Sequence, residues 1–168
     1  MPTTLKYLSA YSASVQSQVQ QMLKQNTLSE YLLSKYPNTH DISNDKMLRN
    51  YVVTLKNNYL KKSSPLSQVK FDEKIHIINN ALGLHTYVSR VQGNKLKSKN
   101  ELRVASLFKK VPEAFLNMIV VHELAHLKEK DHNKAFYKLC QYMMSDYHQV
   151  ELDLRIYLTQ IDAYGTIY

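Results

Sequence analysis

Apolar residues recur every three to four positions over the first third of this chain. They fall into short, partly alternating runs in the middle and return to the longer period towards the end. The two periods separate helix from strand, because side chains line one face every 3.6 residues in a helix and every second residue in a strand. Leu8, Val15, Val19 and Met22 predict an amphipathic helix over Leu5–Met22. Thr27-Leu28-Ser29-Glu30 has the form of a capping box and predicts a short helix from Leu28 to Lys35, ended by Tyr36-Pro37-Asn38. Ser43-Asn44-Asp45 precedes Met47, Leu48, Tyr51, Val52, Leu55 and Tyr59, which predicts a helix from Asp45 to Lys61. Ser63-Ser64-Pro65 breaks it.

The middle third reads as strands. Val69–Phe71 and Lys74–Ile78 flank a turn at Asp72-Glu73, Leu84–Val91 alternates, and Gly93-Asn94 is a turn signal. Lys95–Asn100 reads as a lysine-rich loop and Glu101–Phe108 as a last strand. Pro112 and Glu113 then suit the first turn of a helix running to Lys130: the proline N–H would have no partner there, and the carboxylate complements the positive helix end. Further helices are expected over Asn133–Met144 and Val150–Ala163. The order predicts an α+β fold, a small, mostly antiparallel sheet packed on helices.

Composition narrows the class. A chain of 168 residues with 44% hydrophobic and 21% charged positions suits one globular domain, here expected as a helical part over 1–62 and a sheet with further helices over 66–168. Only 3 glycines and 4 prolines argue against a turn-rich all-β fold. The 1 cysteine, Cys140, excludes an intrachain disulfide, and no run is long enough to cross a bilayer, so a cytoplasmic protein without a membrane partner is expected. The net charge of +8 favours anionic partners, including weak association with nucleic acid through a basic surface.

The chemistry lies in "MIVVHELAHLKEKDHNKAFY", residues 118–137. His122 and His126 are four apart, so a helix projects both imidazoles from one face, where both reach one Zn²⁺. Glu123 can take a proton from a metal-held water without being a ligand itself. A catalytic zinc needs a third protein ligand and one open position, and His132 is the natural third. On an unbroken helix His132 would point about 120° away from His126. The metal reading therefore demands that the helix stop between Leu127 and His132 and that the chain double back, with Asp131 and Asn133 as turn formers and caps. The apolar neighbours Ile119, Val120, Val121, Leu124 and Leu127 place these ionisable groups in the interior, where they need partners. Weaker candidates are His148 with Tyr147 and Arg155, or Tyr137, as transition-state donors, and Glu151 as an alternative third ligand. His40, His76 and His85 read as structural or exposed, and Cys140 as core.

The segment "VVHELAHLKEKDHNKAFY" resembles the active-site segment of the YgjP-like metallopeptidase family, a zincin-like group. His122-Glu123-Leu124-Ala125-His126-Leu127 is followed by a polar linker, then His132-Asn133 and the aromatic Phe136. The resemblance extends upstream through "NALGLHTYVSRVQGNKLKSKNELRVASLFKKVPEAFLNM". It implies a short sheet packed on an active-site helix, zinc held by His122, His126 and His132, and Glu123 as general base. Where many members carry an Arg-Trp-Gly-Ser-Cys-like segment, this chain reads Arg90-Val91-Gln92-Gly93-Asn94, without Trp or Cys. The histidine spacing also equals that of metzincins, but Glu129 stands where their glycine would be.

The leading expectation is a zinc-dependent metallopeptidase acting on a peptide or protein, aligned along a strand edge near 101–108. One alternative is a metal-dependent hydrolase of a nucleotide phosphoanhydride, of the nucleoside triphosphate pyrophosphatase type, which suits the lysine surplus. Another is a non-enzymatic zinc-binding module, closed by a fourth side chain such as Glu151 or His148.

Overall fold

The computed structural model describes residues 5–75, 83–92 and 95–168, with 83–92 and 95–99 described by their backbone alone. The architecture is α+β. A 3-10 turn, Lys6–Leu8, leads into helices α1 (Ala13–Lys24), α2 (Leu28–Lys35) and α3 (Asp45–Tyr59). Strands β1 (Gln68–Asp72), β2 (Gly83–Gln92) and β3 (Lys95–Ala105) follow. A second 3-10 turn, Ser106–Lys110, then leads to α4 (Glu113–Ala125), α5 (Lys134–Met143) and α6 (Tyr147–Tyr164).

The helix starts show which signals the chain uses. Ser12 and Asn44 cap α1 and α3, their side chains accepting from the amides of Val15 and Met47. The capping box expected at Thr27 does not form. Its hydroxyl donates backwards to the Met22 carbonyl at 3.3 Å, closing the turn between α1 and α2. The first expected helix divides into the Lys6–Leu8 turn and α1, so the helical period of Leu8 and Val15 spans a break.

The sheet is mixed, in the order β1-β3-β2. β2 and β3 pair antiparallel from Gly83↔Val104 to Gln92↔Lys95, whereas β1 and β3 pair parallel from Gln68↔Glu101 to Asp72↔Ala105. The expected lysine-rich loop, Lys95–Asn100, is thus the first half of β3. Lysine disfavours strands only weakly, and a continuous ladder outweighs that preference. The expected strand over Glu101–Phe108 stops at Ala105. Lys74 and Ile75 lie outside any strand, and the rest of Lys74–Ile78 falls outside the described residues, as does the Gly93-Asn94 turn. Among the described residues β1 is an edge, and the Asp45 carboxylate at the start of α3 accepts its Phe71 amide at 2.9 Å.

Helix α4 is the pivot. It is apolar on all sides, and Phe115, Leu116, Met118, Ile119, Val120, Val121 and Leu124 are all buried. A helix of this kind can only be stable in the middle of a core. It contacts β2 and β3, and also α5 and α6. Helix α6 in turn packs on α2 through a buried anion. The fully buried Asp153 carboxylate accepts from the Tyr31 and Tyr36 hydroxyls at 2.7 and 2.6 Å and from Gln149 at 3.3 Å, and pairs with Lys35 at 2.8 Å. Replacing Asp153 with Ala should destabilise the protein by about 3 kcal/mol, because two half-buried hydroxyls and a cation lose their acceptor. Urea unfolding would read this as a lower midpoint at unchanged slope.

Candidate metal centre

The HExxH segment lies at the C-terminal end of α4, and the helix stops at Ala125, before Leu127, where the stop was expected to begin. It is not the continuous helix to Lys130 that the apolar period suggests. The last turn tightens: the Leu127 and Lys128 amides bond to the carbonyls of Leu124 and Ala125 at 3.0 and 3.1 Å. The chain then doubles back without glycine. Asn26 is the only described non-glycine residue with positive φ, so Glu129 holds an ordinary backbone conformation. Asn133 caps α5 by accepting the Phe136 amide at 2.9 Å. This short loop carries His132 back to face α4.

The three imidazoles converge through the same nitrogen. His132 Nε2 lies 3.1 Å from His126 Nε2 and 3.2 Å from His122 Nε2. Among the described residues these three form the group whose ligand atoms can hold a metal ion, all within 4.8 Å of one another. Tetrahedral ligands at about 2.0–2.1 Å from a zinc ion stand about 3.3–3.4 Å apart, within a few tenths of an ångström of both contacts. Three Nε2 atoms meeting at one point cannot satisfy one another as neutral imidazoles, since each contact needs one donor and one acceptor. A divalent cation satisfies all three, so the donor set fits a metal.

The outer nitrogens are held. His126 Nδ1 donates to the Glu129 carbonyl at 2.9 Å, which leaves its Nε2 as a lone pair. His122 Nδ1 contacts the Tyr147 hydroxyl at 2.7 Å. The fully buried Phe136 ring packs against all three, at centroid distances of 4.9, 4.6 and 4.9 Å from His122, His126 and His132. Truncating Phe136 to Ala should therefore cost about 3–5 kcal/mol and loosen the centre together with the fold, measurable by thermal unfolding.

Burial and the neighbouring imidazoles depress the His122 pKa to about 3, with the charge of Arg155 adding to the effect. His126 is lowered too, first by burial, while its bond to the Glu129 carbonyl opposes the shift. Both rings are therefore neutral at pH 7, the form a metal ion needs. The unfolded chain protonates His122 near pH 6.5 and the folded chain does not until about pH 3. Between those values the unfolded state binds more protons, so stability falls as pH falls. Metal-stripped protein should lose up to about 1.4 kcal/mol per pH unit from this group in that window, read as a falling urea midpoint.

The remaining candidates have other positions. Glu123, 3% exposed, follows His122 on α4. Tyr147 is fully buried against His122 and does not face an open position as a donor would. Arg155 bonds the Tyr7 carbonyl at 3.0 Å and pairs with Glu151 at 3.4 Å, so Glu151 is engaged on α6, whereas His132 joins the other two imidazoles. Tyr137 stands beside the site, 6.5 Å from His132 and 5.3 Å from His148 between ring centroids. His40 is structural: its Nε2 donates to the Phe108 carbonyl at 2.6 Å and its Nδ1 accepts from the Ile42 amide. His76 lies outside the described residues, and of His85 only the backbone in β2 is described. Cys140 is buried in the core, its thiol pushed up to about 12 by desolvation. The Glu129 carbonyl is a functional group that sequence reasoning missed, because a backbone acceptor leaves no mark on residue identity.

Among the described residues no helix is long and apolar enough to cross a membrane. No solved structure matches the chain. A curated relative from Escherichia coli (strain K12), named UTP pyrophosphatase, is 54% identical over 159 residues, covering 95% of each chain. The family model described as "YgjP-like, metallopeptidase domain" matches residues 70–157, a span that holds all three converging histidines and Glu123. The chain therefore belongs to the YgjP-like family of metal-dependent hydrolases.

Proposed function

We propose that this protein is a zinc-dependent nucleoside triphosphate pyrophosphatase, with His122, His126 and His132 as ligands and Glu123 as general base. The observation that carries the reading is the 54% identity, over 95% of both chains, to a protein named UTP pyrophosphatase. Three nitrogen donors suit zinc, which favours imidazole and leaves a catalytic site one open position. When bound, such an ion lowers the pKa of water and offsets charge on phosphate oxygens.

The chain's own groups do the rest. Glu123, held on α4 beside His122, accepts the proton of the attacking water. The water oxygen bonds to the α-phosphorus as the bond joining the α and β phosphates breaks, and pyrophosphate leaves with the electron pair. The exposed Lys128, Lys130 and Lys134, in and just after the loop between His126 and His132, outnumber Glu129 and Asp131 there and leave a small positive excess where a triphosphate would approach.

The peptidase reading needed a strand edge near 101–108 to align an extended substrate. Over Glu101–Val104 β3 is paired on both sides, by β1 and β2, Ala105 is paired with β1, and Ser106–Lys110 is a 3-10 turn, so little of that segment offers a free ladder. Incubation of the zinc-loaded protein with UTP and, separately, with casein decides between the two. The expected result is chelator-sensitive release of pyrophosphate from UTP and intact casein. Cleavage of casein with UTP untouched would overturn the nucleotide reading.

A further inference from the structure

We propose that α6 carries a positioning relay, Tyr147–Glu151–Arg155, that locks the His122 ring with Nε2 facing the metal. The inference rests on reading His122, His126 and His132 as ligands. The three relay residues follow one another at four-residue intervals, so they share one face of α6.

The proton bookkeeping sets the direction of the chain. A ligand Nε2 carries no proton, so neutral His122 has its proton on Nδ1 and donates it to the Tyr147 oxygen, 2.7 Å away. That hydroxyl must then donate its own proton elsewhere. Glu151 stands one helical turn after Tyr147 on the same face of α6, within reach of that hydroxyl. A carboxylate is a strong acceptor, so the hydroxyl turns to Glu151. Glu151 in turn pairs with Arg155 at 3.4 Å, and Arg155 is tied by its bond to the Tyr7 carbonyl at 3.0 Å. The relay therefore runs from the metal ligand to the first described turn of the chain. Tyr147 is fully buried, so water cannot replace its hydroxyl as the partner of Nδ1. Neither Tyr147 nor Glu151 touches the position of the substrate in this scheme. Both act through His122.

The test uses metal binding alone, with Zn²⁺ and Co²⁺ as probes, and so stands apart from the nature of the substrate. Tyr147→Phe keeps the buried ring and removes the hydroxyl. It should weaken Zn²⁺ binding by about 10- to 100-fold and alter the visible spectrum of the Co²⁺-loaded protein. Glu151→Gln should weaken binding in the same direction by less. The double variant should be little worse than Tyr147→Phe, because residues acting in series do not add.

An affinity for Tyr147→Phe within about twofold of the unaltered protein would overturn the relay, given the scale of such second-layer effects. So would an unchanged Co²⁺ spectrum with equal losses of Tm in metal-free and metal-loaded protein, which marks packing alone. If Tyr147→Phe does not fold, Glu151→Gln decides: weaker binding with a shifted Co²⁺ spectrum supports the relay, and unchanged binding overturns it. Failure of the unaltered protein to bind either ion would instead remove the metal centre itself, a distinguishable result.

Discussion

Replacing Glu123 with Gln should lower kcat for pyrophosphate release by about 10²- to 10⁴-fold while Zn²⁺ remains bound. The amide matches the carboxylate in shape but cannot accept a proton from water at neutral pH. Glu123 is 3% exposed, so bulk water has poor access to substitute for it as a base. Metal content measured on the same sample separates loss of the base from loss of the ion. Retained activity in a zinc-loaded Glu123→Gln protein would remove Glu123 from the mechanism, whichever substrate is used.

The second large effect falls on the ligands. His126→Ala should weaken Zn²⁺ binding by more than the roughly 10- to 100-fold typical of an outer-layer change, because a direct ligand is lost. Activity should fall with metal occupancy. The unaltered protein should gain about 4 kcal/mol of stability at a metal concentration 1,000 times the dissociation constant, whereas His126→Ala should gain far less. Thermal unfolding with and without chelator measures both. His132→Ala should behave alike although His132 is exposed, because its Nε2 lies within 3.2 Å of both partners. Unchanged chelator sensitivity of Tm in either variant would argue against the three-histidine centre.

Much of this centre was legible in the residues. The pair His122 and His126 declares itself by helical spacing, and the demand that the helix end before His132 follows from geometry alone. The structure meets that demand by stopping α4 at Ala125. The signals that carried least information were those decided by distant partners. Lys95–Asn100 resembles a loop in composition, yet its backbone pairs with β2 throughout. Thr27 has the residues of a capping box around it, yet its hydroxyl closes a turn. Tyr147 was legible as a functional candidate but not as the partner of His122, because 25 residues separate them. A parallel pairing of β1 with β3 leaves no local trace either, since only the spacing of two remote segments defines it.

The residue that ends the relay also sets how small a working enzyme can be. Arg155 is fastened by a carbonyl of Tyr7, and Asp153 by Tyr31, Lys35 and Tyr36 in and just after α2, all upstream of the span 70–157 that the family model matches. A fragment cut to that span would keep all three converging histidines and lose the braces of α6. It would also bare apolar surface that Leu28 and Leu32 now cover. Such a fragment should aggregate or bind zinc loosely, so the helices upstream of the span hold the three histidines in place as much as the matched span does.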